Sequence, residues 1–169
     1  MGIDIKYEKG KIEDLDTIYQ VFKEATEEMD RNNIPQWDEV YPNVDVLRED
    51  MELEQLFVGR IEEDIAVVFV INDDYDDQYE NGQWQHKTAS FRILHRLCVS
   101  PRHQRKGVGA LTLKYIEEIL KKDNIESIRL DAFSKNPYAL KMYENEGYKI
   151  VGEVHWRKGM FYLMEKGFK

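Results

Sequence analysis

The chain has 169 residues, 42% of them hydrophobic and 12% aromatic, enough for one compact domain with a buried core. A formal net charge of -9 argues against non-specific binding to nucleic acid or to an anionic membrane, and suits either a cationic substrate or plain solubility. No run approaches the roughly 20 apolar residues of a spanning helix, and Cys98 is the single cysteine, so no intrachain disulfide is available and a cytoplasmic protein is expected.

In chain order, Met1-Gly2-Ile3-Asp4-Ile5-Lys6 alternates and carries charge, and it reads as a first strand over Ile3 to Lys9 rather than as a leader. Leu15, Ile18, Phe22, Ala25 and Met29 recur at helical spacing within Ile12 to Met29, and Asn32-Asn33-Ile34-Pro35 ends that helix. After the loop Gln36 to Asn43, Val44, Leu47 and Met51 predict a shorter helix. Leu56 to Ile61 and Ile65 to Ile71 read as a hairpin around Glu62-Glu63-Asp64.

Asn72 to Ser90 is polar, rich in Asp and Tyr, and reads as an exposed insertion or an irregular hairpin. Its Asp73, Asp74, Asp76 and Asp77 form either a solvated loop or an attractor for a cationic amine. Phe91 to Val99 is the next strand, closed by Pro101, and Val108, Leu111, Thr112, Tyr115, Ile116 and Ile119 make a helical stripe. Ser127 to Ala132, Tyr148 to Val154 and Gly159 to Glu165 read as strands, with a helix over Pro137 to Glu146. The strand-helix-strand passage from 91 to 132 implies a parallel crossover and the hairpins imply antiparallel pairs. The expected fold is α/β, with a central mixed, mostly antiparallel sheet and helices on both faces.

The segment from Leu97 to Ala110 runs from a strand through a basic, glycine-containing turn into a long helix. The first turn of a helix carries unpaired N–H groups and a partial positive charge, which together suit a phosphate. Gly107 and Gly109 let a ligand approach the backbone, and Arg105 and Lys106 add charge. The same residues also fit a tight turn with a solvated basic pair. They do not fit a dinucleotide fingerprint, which needs a third glycine, or a P-loop, which needs Gly-Lys-Ser/Thr.

Gln104-Arg105-Lys106-Gly107-Val108-Gly109 resembles the Gln/Arg-x-x-Gly-x-Gly/Ala motif of the GNAT acetyltransferases. The resemblance implies that the backbone from Arg105 to Ala110 binds the pyrophosphate of coenzyme A. It also implies that the backbone of Leu97, Cys98 and Val99 pairs with the pantetheine arm. Asn136, Ala139, Tyr143 and Gly147 are similar to the family's Asn-x-x-Ala-x-x-x-Tyr-x-x-x-Gly-Phe, with Tyr148 in place of Phe. Asn136, Pro137 and Gly147 are equally a helix cap, first turn and terminator. The resemblance makes Asn136 a cofactor contact and Tyr143 the general acid that protonates the leaving thiolate. The strong likeness covers roughly residues 91 to 150. The loop Gln36 to Pro42 also resembles one in some bacterial GNAT proteins of unassigned substrate.

The resemblance implies one acyl-CoA N-acyltransferase domain over residues 1-169. With acetyl-CoA as co-substrate and no metal, it would acetylate a primary amine of a small molecule or protein within a ternary complex. Neither nucleic acid nor membrane is expected as a partner, and a homodimer fits the family. Some members carry a strand Glu as base, where this chain has Ile93. His95, on the same strand face as Ile93 by parity, is either a titrating or a structural histidine, and no base is assigned. Cys98 reads as a nucleophile or as a small strand residue; His95 points away from it by parity. Trp37, Tyr41, Trp84 and His95 are candidate acceptor-site residues, and the three aromatics serve equally as core or loop anchors. Two other functions compete. One is a non-catalytic acyl-CoA sensor or interaction module; the other is a nucleotide-binding protein using Gly107 and Gly109.

Overall fold

Strands form where apolar residues alternate and helices where they recur at three or four, and the result is seven strands and four main helices among the described residues. The structure, a computed structural model, describes residues 2–168; Met1 and Lys169 lie outside the described residues. The hydrogen-bonded strand order is β1-β2-β3-β4-β5-β7-β6. The chain divides into two units, Met1–Ile71 with Arg96–Thr112, and Asn72–His95 with Leu113–Lys169.

The first unit contains β1 (Lys6–Lys9), α1 (Leu15–Arg31), α2 (Val44–Glu52), β2 (Leu56–Ile61) and β3 (Asp64–Asn72). It also takes the end of β4 (Phe91–Val99) and the start of α3 (Val108–Lys122). β1, β2 and β3 pair antiparallel in sequence. Their alternation serves two cores. Val58, Val68, Val70 and Cys98 pack with Ile18, Phe22 and Ala25 of α1 and Leu47 of α2. Ala66 and Val67 pack with Leu97, Val99 and Val108. Gly59 pairs with Val67 but Arg60 pairs with Ile65, so Ala66 is the extra residue of a bulge. Its carbonyl accepts the Ser100 N–H at 2.8 Å, which fixes the chain where β4 ends.

The second unit contains the start of β4, β5 (Ser127–Phe133), α4 (Pro137–Asn145), β6 (Lys149–Trp156) and β7 (Gly159–Gly167). β4 and β5 are parallel over Phe91↔Ser127, Arg92↔Ile128 and Ile93↔Arg129, as the crossover predicts. β7 pairs antiparallel with both β5 and β6. Buried Glu117 accepts from Tyr148 Oη at 3.0 Å and from Lys166 Nζ at 2.8 Å, so its charge is compensated.

The structure corrects several expectations. β1 begins at Lys6, not Ile3, and a 3-10 turn at Ile12–Asp14 precedes α1. Asn72 to Ser90 is neither a hairpin nor wholly exposed. It holds a 3-10 turn, Asp77–Asn81, and buries Tyr79 and Trp84. Two aromatic anchors are enough to seat a polar segment. The Gln83 N–H donates to Val151 O at 2.7 Å, and Glu165 accepts the N–H groups of Gln85 and His86. Among the described residues, no helix is long and apolar enough to cross a membrane.

Candidate functional site

In the first unit, β4 ends at Val99, and a 3-10 turn, Pro101–His103, leads into the glycine turn. Arg105 has φ 64 and Gly107 φ 79, so the backbone changes hand twice within three residues before α3 begins. Such a sequence turns successive N–H groups toward one side and forms an anion-binding concavity. Leu111 N–H bonds Gly107 O at 3.0 Å; the N–H groups of Gly107, Val108, Gly109 and Ala110 precede it and have no intrahelical acceptor. No atom lies within 4 Å of where a Gly107 Cβ would stand. The space over that backbone is open, as a phosphate requires. Arg105 and Lys106 are exposed beside it, and Gln104 Nε2 donates to Val99 O at 3.1 Å, tying the turn back to the strand.

Upstream, Asp64 at the start of β3 takes His103 Nε2 at 2.6 Å and the Arg102 fork at 3.3 and 3.2 Å. Arg102 also donates to Glu24 of α1 at 2.8 Å. The hydrogen bond to His103 is the main cause that holds the Asp64 carboxyl below its usual range; burial opposes it, and Arg102 adds to the lowering. A carboxyl lowered by folding stabilises the fold above its unfolded pKa of about 3.9 and loses that stabilisation as pH falls through the folded value. Asp64→Asn is therefore expected to lower the urea midpoint at pH 7, and the gap to wild type should begin to narrow below about pH 4. A gap that stays constant down to pH 3 would rule out this linkage.

Arg96 has φ 50, a left-handed residue in the middle of β4. The strand is therefore irregular between His95 and Cys98, and the parity argument that set those two apart does not carry across it. The Arg96 guanidinium forks onto Asp50 of α2 at 2.9 and 2.7 Å and donates to Tyr41 Oη at 2.6 Å. Tyr41 thus sits on a charge clamp, partly exposed. Trp37 is buried against Phe22, with centroids 5.3 Å apart, and so takes the core-anchor alternative. Cys98 is buried in the same core, and burial pushes its thiol up; a protonated, enclosed thiol is a poor nucleophile, so the small-strand-residue reading holds.

In the second unit, Asn136 caps α4, its side chain accepting from Ala139 N–H at 3.1 Å, with Pro137 as first helical residue. Tyr143 lies in the last turns of α4, buried, with its ring edge-on to Tyr148 at 5.7 Å. Burial first, and then the Asp131 carboxylate, push its hydroxyl up, so it is protonated at neutral pH. Among the described residues that hydroxyl has no hydrogen-bond partner. Tyr79 Oη donates to Asp131 at 2.7 Å, and burial, Asp131 and Tyr143 all raise the Tyr79 phenol. Tyr79, Asp131 and Tyr143 therefore share one neighbourhood. The motif reading missed Tyr79 and Asp131, which meet across 52 positions of sequence. Trp84 is a loop anchor, its indole donating to Tyr79 O at 2.9 Å. His95 Nε2 lies 2.7 Å from Asn72 Oδ1. Among the described residues no group of three His, Cys, Asp or Glu side chains is arranged to hold a metal.

A mixed seven-stranded sheet, with β4 and β5 parallel on either side of the glycine turn and α3, defines an α/β protein. The family model described as acetyltransferase (GNAT) family matches residues 15–148, and the chain belongs to that family. A curated relative, S-(2-succino)cysteine N-acetyltransferase of Bacillus subtilis strain 168, is 33% identical over 80 residues, covering 45% of this chain and 48% of that protein. The match thus spans about half the length of that relative. Solved structures share the fold. A GNAT-family acetyltransferase from Streptococcus agalactiae 2603 has a TM-score of 0.84 at 20% identity, covering 98% of this chain and 96% of that one. PaiA N-acetyltransferase from Thermoplasma acidophilum, in complex with coenzyme A, has a TM-score of 0.73 at 19% identity, over 98% and 99% of the two chains.

Proposed function

We propose that residues 1–169 act as one N-acetyltransferase domain, moving an acetyl group from acetyl-CoA to a primary amine of a small molecule or protein. The observation that carries this reading is the double change of backbone hand at Arg105 and Gly107 ahead of α3. It leaves the N–H groups of Gly107 to Ala110 for a pyrophosphate, with Arg105 and Lys106 beside them. Leu97 and Val99 offer strand backbone to the pantetheine arm, and a backbone N–H of that strand serves the oxyanion, a contribution of about 2.7–4 kcal/mol for one well-placed donor. Asn136 is a further cofactor contact.

The amine nitrogen forms a bond to the acyl carbon while the carbon–sulfur bond breaks. Tyr143 gives its proton to the departing thiolate and regains one from water. Asp131 draws the ammonium into the neighbourhood of Tyr143, and the proton that the amine sheds passes to water. Tyr41 and His95 are further candidates for acceptor contact.

The test is thermal unfolding with acetyl-CoA, ATP and NADH in parallel, followed by amine-dependent thiol release. Acetyl-CoA at about 100 times its Kd adds about 2.7 kcal/mol, a shift that is readily measured. Stabilisation by acetyl-CoA with thiol release on adding an amine supports the proposal. Stabilisation without release from any amine would leave a sensor. Stabilisation by a nucleotide alone would sink the cofactor assignment.

A further inference from the structure

Arg129 of β5 is only 8% exposed. Its Nε is buried without a partner. The guanidinium lies against two rings, with Cζ 3.9 Å from the Phe91 centroid and 4.3 Å from the Trp84 centroid. Burial pulls its pKa down and Glu165 opposes that pull. Glu165 stands directly opposite Arg129 on β7 and supplies the opposing charge, while its two oxygens accept the backbone N–H groups of Gln85 at 2.7 Å and His86 at 3.2 Å rather than a guanidinium N–H.

A guanidinium does not shed its proton to escape burial, as a lysine can. Rings offset part of the lost hydration but accept no N–H bond in the plane of the group. With the rings over it, hydrogen bonding is left to the planar edge, whose paired donors match the two oxygens of a carboxylate. Asp131 follows two residues on, roughly 6.6 Å along the strand and on the same face. Tyr79, which donates to Asp131 at 2.7 Å, packs on Trp84 with centroids 5.7 Å apart, so one aromatic wall borders both charges. Trp84 also lines an open hollow formed by Gly82 to Ala89.

We infer that Arg129 is a specificity-determining residue that pairs with the carboxylate of the acceptor, which makes the acceptor an amino acid in the broad sense: an amine carrying a carboxylate. The inference rests on the acetyl-transfer reading and narrows its acceptor. A neutral amine would leave the Arg129 edge unpaired in a dry site, and that unpaired donor set is the source of discrimination.

The experiment compares the α-amino acids with their α-amino amides, which differ only in the carboxylate. Each is scored for thermal stabilisation of the full chain without acetyl-CoA and for thiol release with it. The acids should stabilise the protein where the amides do not, and the best acid should exceed its amide at least about tenfold in kcat/KM. Arg129→Gln should abolish the preference, and Arg129→Lys should keep part of it. Equal treatment of acids and amides by the unsubstituted protein, including no response to either, would overturn the inference. So would a preference that survives in a folded Arg129→Gln chain. Acetyl-CoA stabilisation, read on the same samples, reports on the acetyl-transfer reading separately, since the acid-dependent shift is measured without it.

Discussion

Tyr143→Phe is expected to lower kcat for acetyl transfer by about 10²–10⁴-fold, the usual contribution of a positioned proton donor. Acetyl-CoA binding should hardly change. The substitution removes one oxygen and leaves the ring, so its edge-on packing against Tyr148 is kept. The Tyr143 hydroxyl has no partner among the described residues, so no buried donor or acceptor is stranded, and stability should be equal or slightly higher. Burial and Asp131 hold the phenol above its ordinary value, so it stays protonated through neutral and mildly alkaline pH. No alkaline fall in kcat near pH 9 should therefore arise from this group. Thiol release at saturating acetyl-CoA, with thermal shift as the binding readout, checks the prediction. An unchanged kcat would remove Tyr143 from the proton inventory.

The parts of the site that follow local rules were legible in the sequence. Asn136 before Pro137 marks a helix start, and Gly147, with φ 95 two residues past α4, marks its end, because caps depend only on neighbouring residues. The glycine turn was legible for the same reason. Arg96 was not: the segment Phe91 to Val99 reads as an even strand, and nothing in it announces a left-handed arginine. Charge partners far apart in sequence were equally hidden. Asp64 and His103 are 39 positions apart, and Asp50 and Arg96 are 46 apart. Asp50 in particular looks like one more acid on a polar helix face, and only the fold turns it inward. The segment 72–90 misled for a different reason. Its density of Asp suggests solvent, but Tyr79 and Trp84 decide where it lies, and their partners Asp131 and Arg129 come some 50 positions later.

Asp50→Ala is expected to destabilise the chain by about 3–5 kcal/mol, because it leaves the Arg96 guanidinium buried without its carboxylate. Asp50 is 5% exposed and Arg96 grips it through two hydrogen bonds, so solvent screens the pair little. The pKa shifts of the partners differ in meaning. Burial outweighs Arg96 in raising the Asp50 carboxyl, which reflects the cost of desolvation. Burial also opposes the charge on Arg96, but Tyr41 and Asp50 outweigh it, which reflects the gain from pairing. The two-pronged geometry favours an ionised pair in which these contributions nearly cancel. A double variant, Asp50→Leu with Arg96→Met, should therefore recover most of the loss of Asp50→Ala in urea unfolding. Full additivity of the single losses would show that the two residues act independently. If stability returns, the clamp is retained for position rather than for stability. Arg96 holds a left-handed backbone one residue before Leu97, where the strand is proposed to meet the pantetheine arm. A refolded double variant free of that tether should then bind acetyl-CoA more weakly than the unsubstituted protein, although the substitutions remove no group from the phosphate turn itself.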